Sequence, residues 1–272
     1  MTRFVVVPQW QGSPSTRAMS LIDGAEAIAG DLPRSAVQRV EVPFEAGERL
    51  DTGVRRASAL RRLRERLDEA LAAEPEGPVV TIGGDCGVAV PAVGRVAGDD
   101  LAVVWFDAHG DLHTPDSSPS GAFAGMALAG VLGRVPGGLS LAPGAVAPSR
   151  VVLAGARALE DAERESVAES GIRHVGTDRV VEDLTAAVAA TGARRLYVHV
   201  DLDVLDPAHI AGVQDAQPFG LAAAALVDAI AAVREVAPLA GASVTGFAPR
   251  TPEAAVDDLG TILRVVGALA RP

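Results

Sequence analysis

The sequence is short of cysteine and of long hydrophobic runs. Cys86 is the one cysteine in 272 residues, so the chain cannot form an internal disulfide. No apolar stretch approaches the length needed to cross a bilayer, because charged residues interrupt the alanine-rich segments. The chain also opens with strand-like residues rather than with the basic and then apolar segments of a secretory leader. These absences predict a cytoplasmic protein and exclude a membrane-spanning one.

Positive charge is also scarce. The 24 basic residues are outnumbered by 35 acidic residues, which gives a formal net charge of -11. An acidic chain repels phosphate-rich surfaces, so nucleic acid and anionic membranes are poor partners and a small molecule, including a cationic one, fits better. The sequence shows no linker composition, internal repeat or low-complexity segment, so residues 1–272 are predicted to form one domain with a substantial core.

Short runs of valine, leucine and isoleucine alternate with segments of helical periodicity. The runs predict eight strands, at residues 3–7, 38–44, 78–85, 101–107, 149–156, 171–177, 194–201 and 241–249. Helices are predicted at residues 20–32, 53–77, 159–169, 178–190, 221–235 and 253–270, with a Pro- and Gly-rich insertion around a short helix at 112–149. The alternation predicts a three-layer αβα fold around a mainly parallel sheet, in which ligands bind beyond the carboxyl ends of the strands.

Acidic residues follow two of the predicted strands at alternate positions. Asp107, His109 and Asp111 come after one strand, and Asp201 and Asp203 come at the end of another. Side chains at alternate positions of an extended backbone point to the same side, so each set can converge. Carboxylate and imidazole groups suit a divalent first-row metal, whereas a solvated acidic loop is the plain alternative. Repetition of the pattern at a second strand end favours a metal site.

Four motifs lie at or near these strand ends: GGDCG at 83–87, DAHGD at 107–111, SGAFAGM at 120–126 and DLDVLDP at 201–207. Their order and content resemble the arginase and agmatinase (ureohydrolase) family over residues 83 to 249. The resemblance implies an arginase-like fold and a two-manganese hydrolase of linear amidines, in which the metals activate a bridging water. Asp107 and Asp201 would bridge the metals. Asp111 would bind the first metal only, and His109 and Asp203 the second.

The sixth ligand position of the family, a histidine in GGDH, is Cys86 in this chain. A thiolate is a competent metal ligand, but it is softer than imidazole and adds negative charge, so it would moderate the Lewis acidity of the first metal. Manganese is the family's metal, and the thiolate leaves zinc and iron open. The alternative is that Cys86 is a buried small hydrophobe and the first metal has lost a ligand.

Two further departures from the family pattern, one within the SGAFAGM motif and one at Gly246, concern the substrate. The resemblance places a proton-shuttling histidine at Ala124, an asparagine at Ala122 and a guanidinium-binding glutamate at Gly246. Loss of a positioned acid or base typically costs about 10²- to 10⁴-fold in rate. Loss of the proton-shuttling histidine and loss of the guanidinium-binding glutamate are both tolerable for an Nω-hydroxyguanidine, which is less basic than arginine. The pattern therefore resembles the Nω-hydroxy-L-arginine amidinohydrolases of D-cycloserine biosynthesis, which release hydroxyurea and L-ornithine.

The resemblance also implies contacts to the amino-acid end of the substrate. His113 and Ser120 correspond to residues at the substrate carboxylate, and Glu160 and Glu163 to residues around its α-amino group. A solvated helix start is the alternative interpretation of the two glutamates. Four further residues, given no catalytic or ligand role, are predicted to support the site, form turns or serve as structural histidines: Asp85, Asp206, His174 and His199. His209 lies in a loop and is a poor candidate for a proton donor.

The sequence leaves two other functions open. The chain could act on the substrate of another ureohydrolase, such as an arginase, agmatinase or formiminoglutamase. It could also be a non-catalytic metal-binding homologue, as Ala124 and Gly246 suggest. Family members are commonly trimers or hexamers. This chain stops directly after its last predicted helix, which makes a monomer credible, and the family's trimer or hexamer stays open.

Overall fold

A computed structural model describes residues 2–271, which form an eight-stranded sheet between layers of helices. The strands are β1 Arg3–Val7, β2 Val37–Arg39, β3 Val79–Gly83, β4 Leu101–Phe106, β5 Val151–Ala154, β6 Arg173–Val175, β7 Arg195–Asp201 and β8 Leu239–Thr245. Their order is β2-β1-β3-β8-β7-β4-β5-β6, and each of the seven neighbouring pairs is parallel. The predicted α/β class with a parallel sheet is confirmed.

Helices cover both faces of the sheet. They are α1 Ser20–Gly30, α2 Ala57–Ala73, α3 Ala89–Gly94, α4 Ala127–Val131, α5 Asp161–Ser170, α6 Val180–Ala189, α7 Ala223–Val236 and α8 Val256–Ala270. Alternate residues of β4 enter two different apolar clusters, with Val104 in the cluster that includes α1, α6, α7 and α8, and Val103 in the cluster that includes α2, α3 and α4. A strand buried on both faces needs a continuous apolar run, which explains the sequence LAVVWF.

Three segments differ from the sequence prediction. The strand predicted at 38–44 is the three-residue edge strand β2, and Pro43, which has no amide hydrogen, lies in the part that leaves the sheet. Helix α2 is shorter than predicted, because Arg56 adopts a left-handed conformation before it and Glu74 is extended before Pro75. Helix α3 was not predicted, because Pro91 and its six-residue length hide the helical periodicity.

The topology gathers the candidate site residues. Strands β3, β8, β7 and β4 are consecutive in the sheet and all point the same way, so their carboxyl ends share one edge. Cys86, Asp107 and Asp201 follow or end three of these strands. Within residues 2–271, none of the helices combines the length and the apolar character needed to cross a membrane.

Candidate metal centre

The turn after β4 brings Asp107, His109 and Asp111 together, but not by the strand alternation that the sequence predicts. The strand ends at Phe106 and the chain bends at Ala108 and His109, so the three side chains do not converge by alternation along one extended strand. Instead, the His109 amide donates to Asp107 Oδ1 at 2.7 Å, and Asp111 adopts a left-handed conformation with φ of 52°. Such a conformation is costly for a residue other than glycine, and it concentrates at functional sites.

The turn after β7 is built in the same way and is tied to the first. The Asp203 amide donates to Asp201 Oδ1 at 3.0 Å, and Asp203 Oδ1 in turn accepts from the Ala108 amide at 3.0 Å. Backbone hydrogen bonds therefore fix the orientation of these carboxylates before any ligand binds.

Two groups of potential ligand atoms meet at this edge of the sheet. One consists of Cys86, Asp107, Asp111 and His199, and the other of Asp107, His109 and Asp203; within each group the atoms lie within 4.8 Å of one another. Asp107 belongs to both groups. Asp201 lies beside them, since the Cys86 thiol donates to its Oδ2 at 2.8 Å. The structure thus brings all six predicted ligand residues into one cluster around a shared carboxylate.

His109 faces acidic groups with both ring nitrogens. Its Nδ1 lies 3.0 Å from Asp203 Oδ2 and 3.4 Å from Asp107 Oδ1, while its Nε2 lies 3.3 Å from Asp215 Oδ2. Burial lowers the pKa of His109, but the hydrogen bonds with Asp107 and Asp203 outweigh that effect and raise the pKa. In the protein without metal, a protonated His109 offsets part of the acidic charge.

The cluster holds more negative charge than its surroundings neutralise. Burial, reinforced by Asp203, raises the pKa of Asp201 to about 7. Burial, together with Asp107 and Asp201, raises the pKa of Asp111 well above its usual range, and Asp111 Oδ2 is a buried acceptor without a hydrogen-bond partner in the described chain. Burial and Asp201 likewise raise the pKa of the Cys86 thiol. Buried carboxylates of this kind call for a compensating cation, so the residues fit a pair of divalent metals.

An aromatic pair borders the cluster. Trp105 Nε1 donates to Asp107 Oδ2 at 3.2 Å, and the Trp105 ring stacks on His199 with 3.7 Å between ring centroids. His199 is fully buried, and its Nδ1 lies 2.7 Å from Ser243 Oγ. Its Nε2 has no partner among residues 2–271. The prediction of a satisfied structural histidine is therefore wrong for one of the two ring nitrogens.

A cavity of about 550 Å³ opens onto the cluster. All six predicted ligand residues line it, as do the four residues predicted to contact the substrate: His113, Ser120, Glu160 and Glu163. A second set comes from segments without a predicted role, residues 13–16 near the start of the chain and residues 213–215 after β7. The cavity is large enough for a free amino acid.

Known proteins share both this fold and this sequence pattern. A model of the Arginase family matches residues 16–261.

The chain belongs to the arginase family.

Among curated relatives, the arginase of Bacillus caldovelox is 32% identical over 200 residues, which cover 68% of this chain and 64% of that arginase. The arginase of Bacillus subtilis strain 168 is 36% identical over 156 residues, 52% of this chain and 51% of the relative. These matches thus span less than two thirds of either relative. The crystal structure of Entamoeba histolytica arginase in complex with L-ornithine superposes with a TM-score of 0.85 at 20% identity, covering 98% of this chain and 97% of that one.

Within the arginase-family fold, two of the substituted positions face the cavity. Ala124 and Gly246 line it, whereas Ala122 is buried and does not. Gly246 has φ of +85°, and a Cβ atom placed on it would lie 2.2 Å from Asp201 Oδ1. The backbone at residue 246 therefore has no room for the glutamate that the family resemblance places there.

The four residues predicted for the amino-acid end all line the cavity. His113 Nε2 lies 3.3 Å from Glu160 Oε2. Glu160 and Glu163 form a capping box at the start of α5. Glu163 is only 3% exposed, and its Oε1 accepts from the Leu112 amide, so a solvated helix start does not describe it. Ser120 Oγ accepts from the Ala122 amide at 3.2 Å.

Three residues near the site have contacts that their sequence pattern does not predict. Asp85, predicted to support the site, is buried and accepts from the Gly12 amide at 2.8 Å, and burial raises its pKa to about 6. Arg157 donates to the backbone carbonyls of Asp203 and of the loop 217–218. Asp215 reaches His109 from that loop. Neither Arg157 nor Asp215 belongs to a motif with a metal-ligand pattern, so nothing in their spacing marked them.

Proposed function

We propose that this arginase-family chain is a binuclear-manganese amidinohydrolase that converts Nω-hydroxy-L-arginine to hydroxyurea and L-ornithine. The observation that carries the proposal is the shared carboxylate: Asp107 belongs to both groups of candidate ligand atoms. Two adjacent ligand sets with a common carboxylate are the arrangement that a two-metal hydrolytic site requires. Release of hydroxyurea would place the enzyme in D-cycloserine biosynthesis.

One metal ion would be held at each group. His199 of the first group is given no ligand role, and Asp201, which lies beside the groups, would join the ligands. Cys86 and Asp111 would bind the first metal, His109 and Asp203 the second, and Asp107 and Asp201 both. When bound, such a pair lowers the pKa of water toward neutrality and so supplies a nucleophile for the guanidino carbon. Five of the six ligand residues offer oxygen or imidazole donors, which suit manganese, while the Cys86 thiolate is the donor that would also accept zinc or iron.

The protein's own groups would orient the substrate. His113 and Ser120 would bind the α-carboxylate, and Glu160 and Glu163, held by the capping box, would bind the α-amino group. These contacts fix the distance from the amino-acid end to the metal cluster, so that the guanidino carbon lies beside Asp107 and Asp201. Binding energy from the unreactive end of the substrate would thus position the reacting end.

The absence of an acid or base at Ala124 favours an activated substrate. Hydrolysis adds the water oxygen to the guanidino carbon and breaks the bond from that carbon to the ornithine nitrogen, which must gain a proton. The guanidinium of arginine keeps its proton at all physiological pH values, so arginine is a strongly cationic and unreactive guanidine. An electron-withdrawing N-hydroxyl lowers that basicity, so the pocket can dispense with part of the machinery that arginine requires.

The test compares substrates on the manganese-loaded protein. Ornithine release is measured with Nω-hydroxy-L-arginine and L-arginine, and putrescine release with agmatine, which lacks the α-carboxylate. The expected preference is for the hydroxylated compound. The Asp107→Asn variant should lose activity, whereas the matched control Asp116→Asn, which alters an exposed aspartate outside the cavity, should retain it. Preference for arginine or agmatine would contradict the substrate assignment. Metal binding without turnover of any of the three would contradict hydrolysis of this substrate class.

A further inference from the structure

Asp215 brings a carboxylate into the cavity from the loop between β7 and α7. Its Oδ2 lies 3.3 Å from His109 Nε2, and its Oδ1 accepts from Gln217 Nε2 at 2.9 Å. The loop is fixed in turn by Arg157, which donates to the carbonyls of Gln217 and Pro218 at 2.8 and 2.9 Å. Asp215 is therefore an oriented carboxylate, although its side chain is 68% exposed.

The other acidic residues of the cavity are already engaged. Four buried aspartates belong to the metal cluster: Asp107, Asp111, Asp201 and Asp203. Asp85 is also buried and accepts from the Gly12 amide. Glu160 and Glu163 cap α5. Asp215 is the remaining carboxylate in the lining of the described chain, and it is next to a candidate ligand of the second metal.

Gly246 cannot supply a carboxylate at this end of the cavity. Its positive φ disfavours any side chain, and a Cβ would collide with Asp201 Oδ1. An amidino group delivered to the cluster therefore needs its hydrogen-bond acceptor, and any counter-ion, from another segment of the chain.

We propose that Asp215 binds the terminal amidino group of the substrate. Its two oxygens offer about four lone-pair positions, of which the contacts with His109 and Gln217 use two, so acceptor sites remain for two N–H or hydroxyl donors. The carboxylate supplies, from the loop between β7 and α7, the acceptor that Gly246 lacks. The inference rests on the proposed function, since it presumes a substrate with an amidino group beside the cluster.

A second role for Asp215 would be to orient His109 alone, in the way that carboxylates orient metal-bound imidazoles. The Asp215→Asn variant separates the two roles. Its amide oxygen can still accept from His109 Nε2, but the charge and one acceptor are lost. Asp215→Ala removes both roles, and Asp228→Asn, on the exposed face of α7, is the control that removes the same charge elsewhere.

The experiment measures equilibrium binding of L-arginine and of L-citrulline, its neutral isostere, to the manganese-loaded protein. The wild-type protein and Asp228→Asn should prefer arginine. Asp215→Asn should retain two metals per chain, weaken arginine binding by about 10-fold, the lower end for a charged hydrogen bond because the group is exposed, and leave citrulline binding unchanged. The KM for Nω-hydroxy-L-arginine should rise in the same variant with little change in kcat.

Three results would overturn the inference: unchanged arginine binding in Asp215→Asn, equal weakening of both ligands, or loss of metal in that variant. The last would assign Asp215 to the orientation of His109. Binding is read without turnover, so a wild-type protein that hydrolyses nothing would refute the proposed function and still leave the role of Asp215 to the comparison of arginine with citrulline.

Discussion

At the scale of single residues, Cys86 stands where the family resemblance predicts a histidine ligand. Its Sγ lies 2.8 Å from Asp201 Oδ2 and 3.4 Å from Thr245 Oγ1, and it is 4% exposed. A thiol in this position keeps its proton unless a metal takes its place, because burial and neighbouring carboxylates raise its pKa.

We expect Cys86→Ser to lower the metal content toward one ion per chain, because a hydroxyl is a poorer ligand than a thiolate. Cys86→His should keep two ions and serves as the control for folding. Metal analysis gives the stoichiometry, and in the cobalt-substituted protein a thiolate-to-metal charge-transfer band should be present only with Cys86. A serine variant with two ions and no change in binding would show that the thiol is not a ligand.

Gly246 offers a second test of how tightly the cluster is built. A methyl group on Gly246 would overlap Asp201 Oδ1, and its φ of +85° adds backbone strain. We expect Gly246→Ala to weaken metal binding by at least about 10-fold and to lower the melting temperature. In Gly260→Ala, a helical control with no atom within 4 Å of the new methyl group, stability should rise by up to about 1 kcal/mol. Normal metal affinity in Gly246→Ala would mean that Asp201 can move aside.

The candidate ligands were predictable because each one follows an apolar strand in a recognisable motif. The turns that converge them were not predictable from strand alternation, since Asp111 reaches the cluster through a left-handed backbone. The position of His199 inside a strand indicates a structural residue, whereas its unpartnered Nε2 and its stacking on Trp105 become visible only in the folded sheet. Asp215 depends on the path of a loop, which local sequence does not specify.

At the scale of elements, Arg157 fastens three segments around the site. It leaves the end of β5 and donates to the carbonyl of Asp203 at 2.9 Å, as well as to those of Gln217 and Pro218. Further bonds reach Gly155, Val204 and Leu205. One guanidinium thus donates to carbonyls in the turn at 203–205 and in the loop at 217–218.

We expect Arg157→Met to lower the free energy of unfolding by about 2–4 kcal/mol, because several carbonyls, most of them in partly buried hydrogen bonds, lose a charged donor. Occupancy of the second metal should fall with it, since the Asp203 turn loses its anchor. The control is Arg264→Met, whose guanidinium contacts only its own helix α8, with an expected change within about 0.5 kcal/mol. Denaturant unfolding and metal analysis check both. Equal stability of the two variants would contradict a stabilising role for the Arg157 hydrogen bonds.

Elements with strong periodicity were predicted and elements without it were not. The central strands β3, β4, β7 and β8 are largely buried, and β4 is a continuous apolar run while the other three contain shorter apolar runs. Edge strand β2 has three residues and half-exposed side chains, so its apolar signal extends beyond the real pairing. Helix α3 is six residues long and is stabilised by burial of nearly every side chain, which removes the polar face that marks an amphipathic helix.

At the scale of the whole molecule, folding buries acidic side chains whose negative charge a bound metal would neutralise. Burial raises the pKa of Asp201 to about 7, against about 3.9 in an unfolded chain. A raised folded pKa means that the folded state holds the proton more tightly than the unfolded state. Its contribution to stability is therefore complete below about pH 4 and is lost as the pH rises through about 7. His199 has the opposite sign, because burial lowers its pKa to about 3, and its contribution is lost as the pH falls below about 6.5.

The window between about pH 6.5 and 8 separates these effects, since neutral His199 is then favoured in both states and Asp201 is losing its proton. We expect the metal-free protein to lose stability across this window while the manganese-loaded protein does not, so that the gap between their melting temperatures widens with pH. Metal binding should also release protons, more of them near pH 6.5 than near pH 8, because the metals displace protons from Asp201 and from the thiol of Cys86.

Thermal melts at fixed metal concentration measure the gap between the melting temperatures. Titration calorimetry in two buffers of different ionisation enthalpy measures the number of protons released. Parallel melting curves with no proton release would mean that the cluster is already ionised without metal.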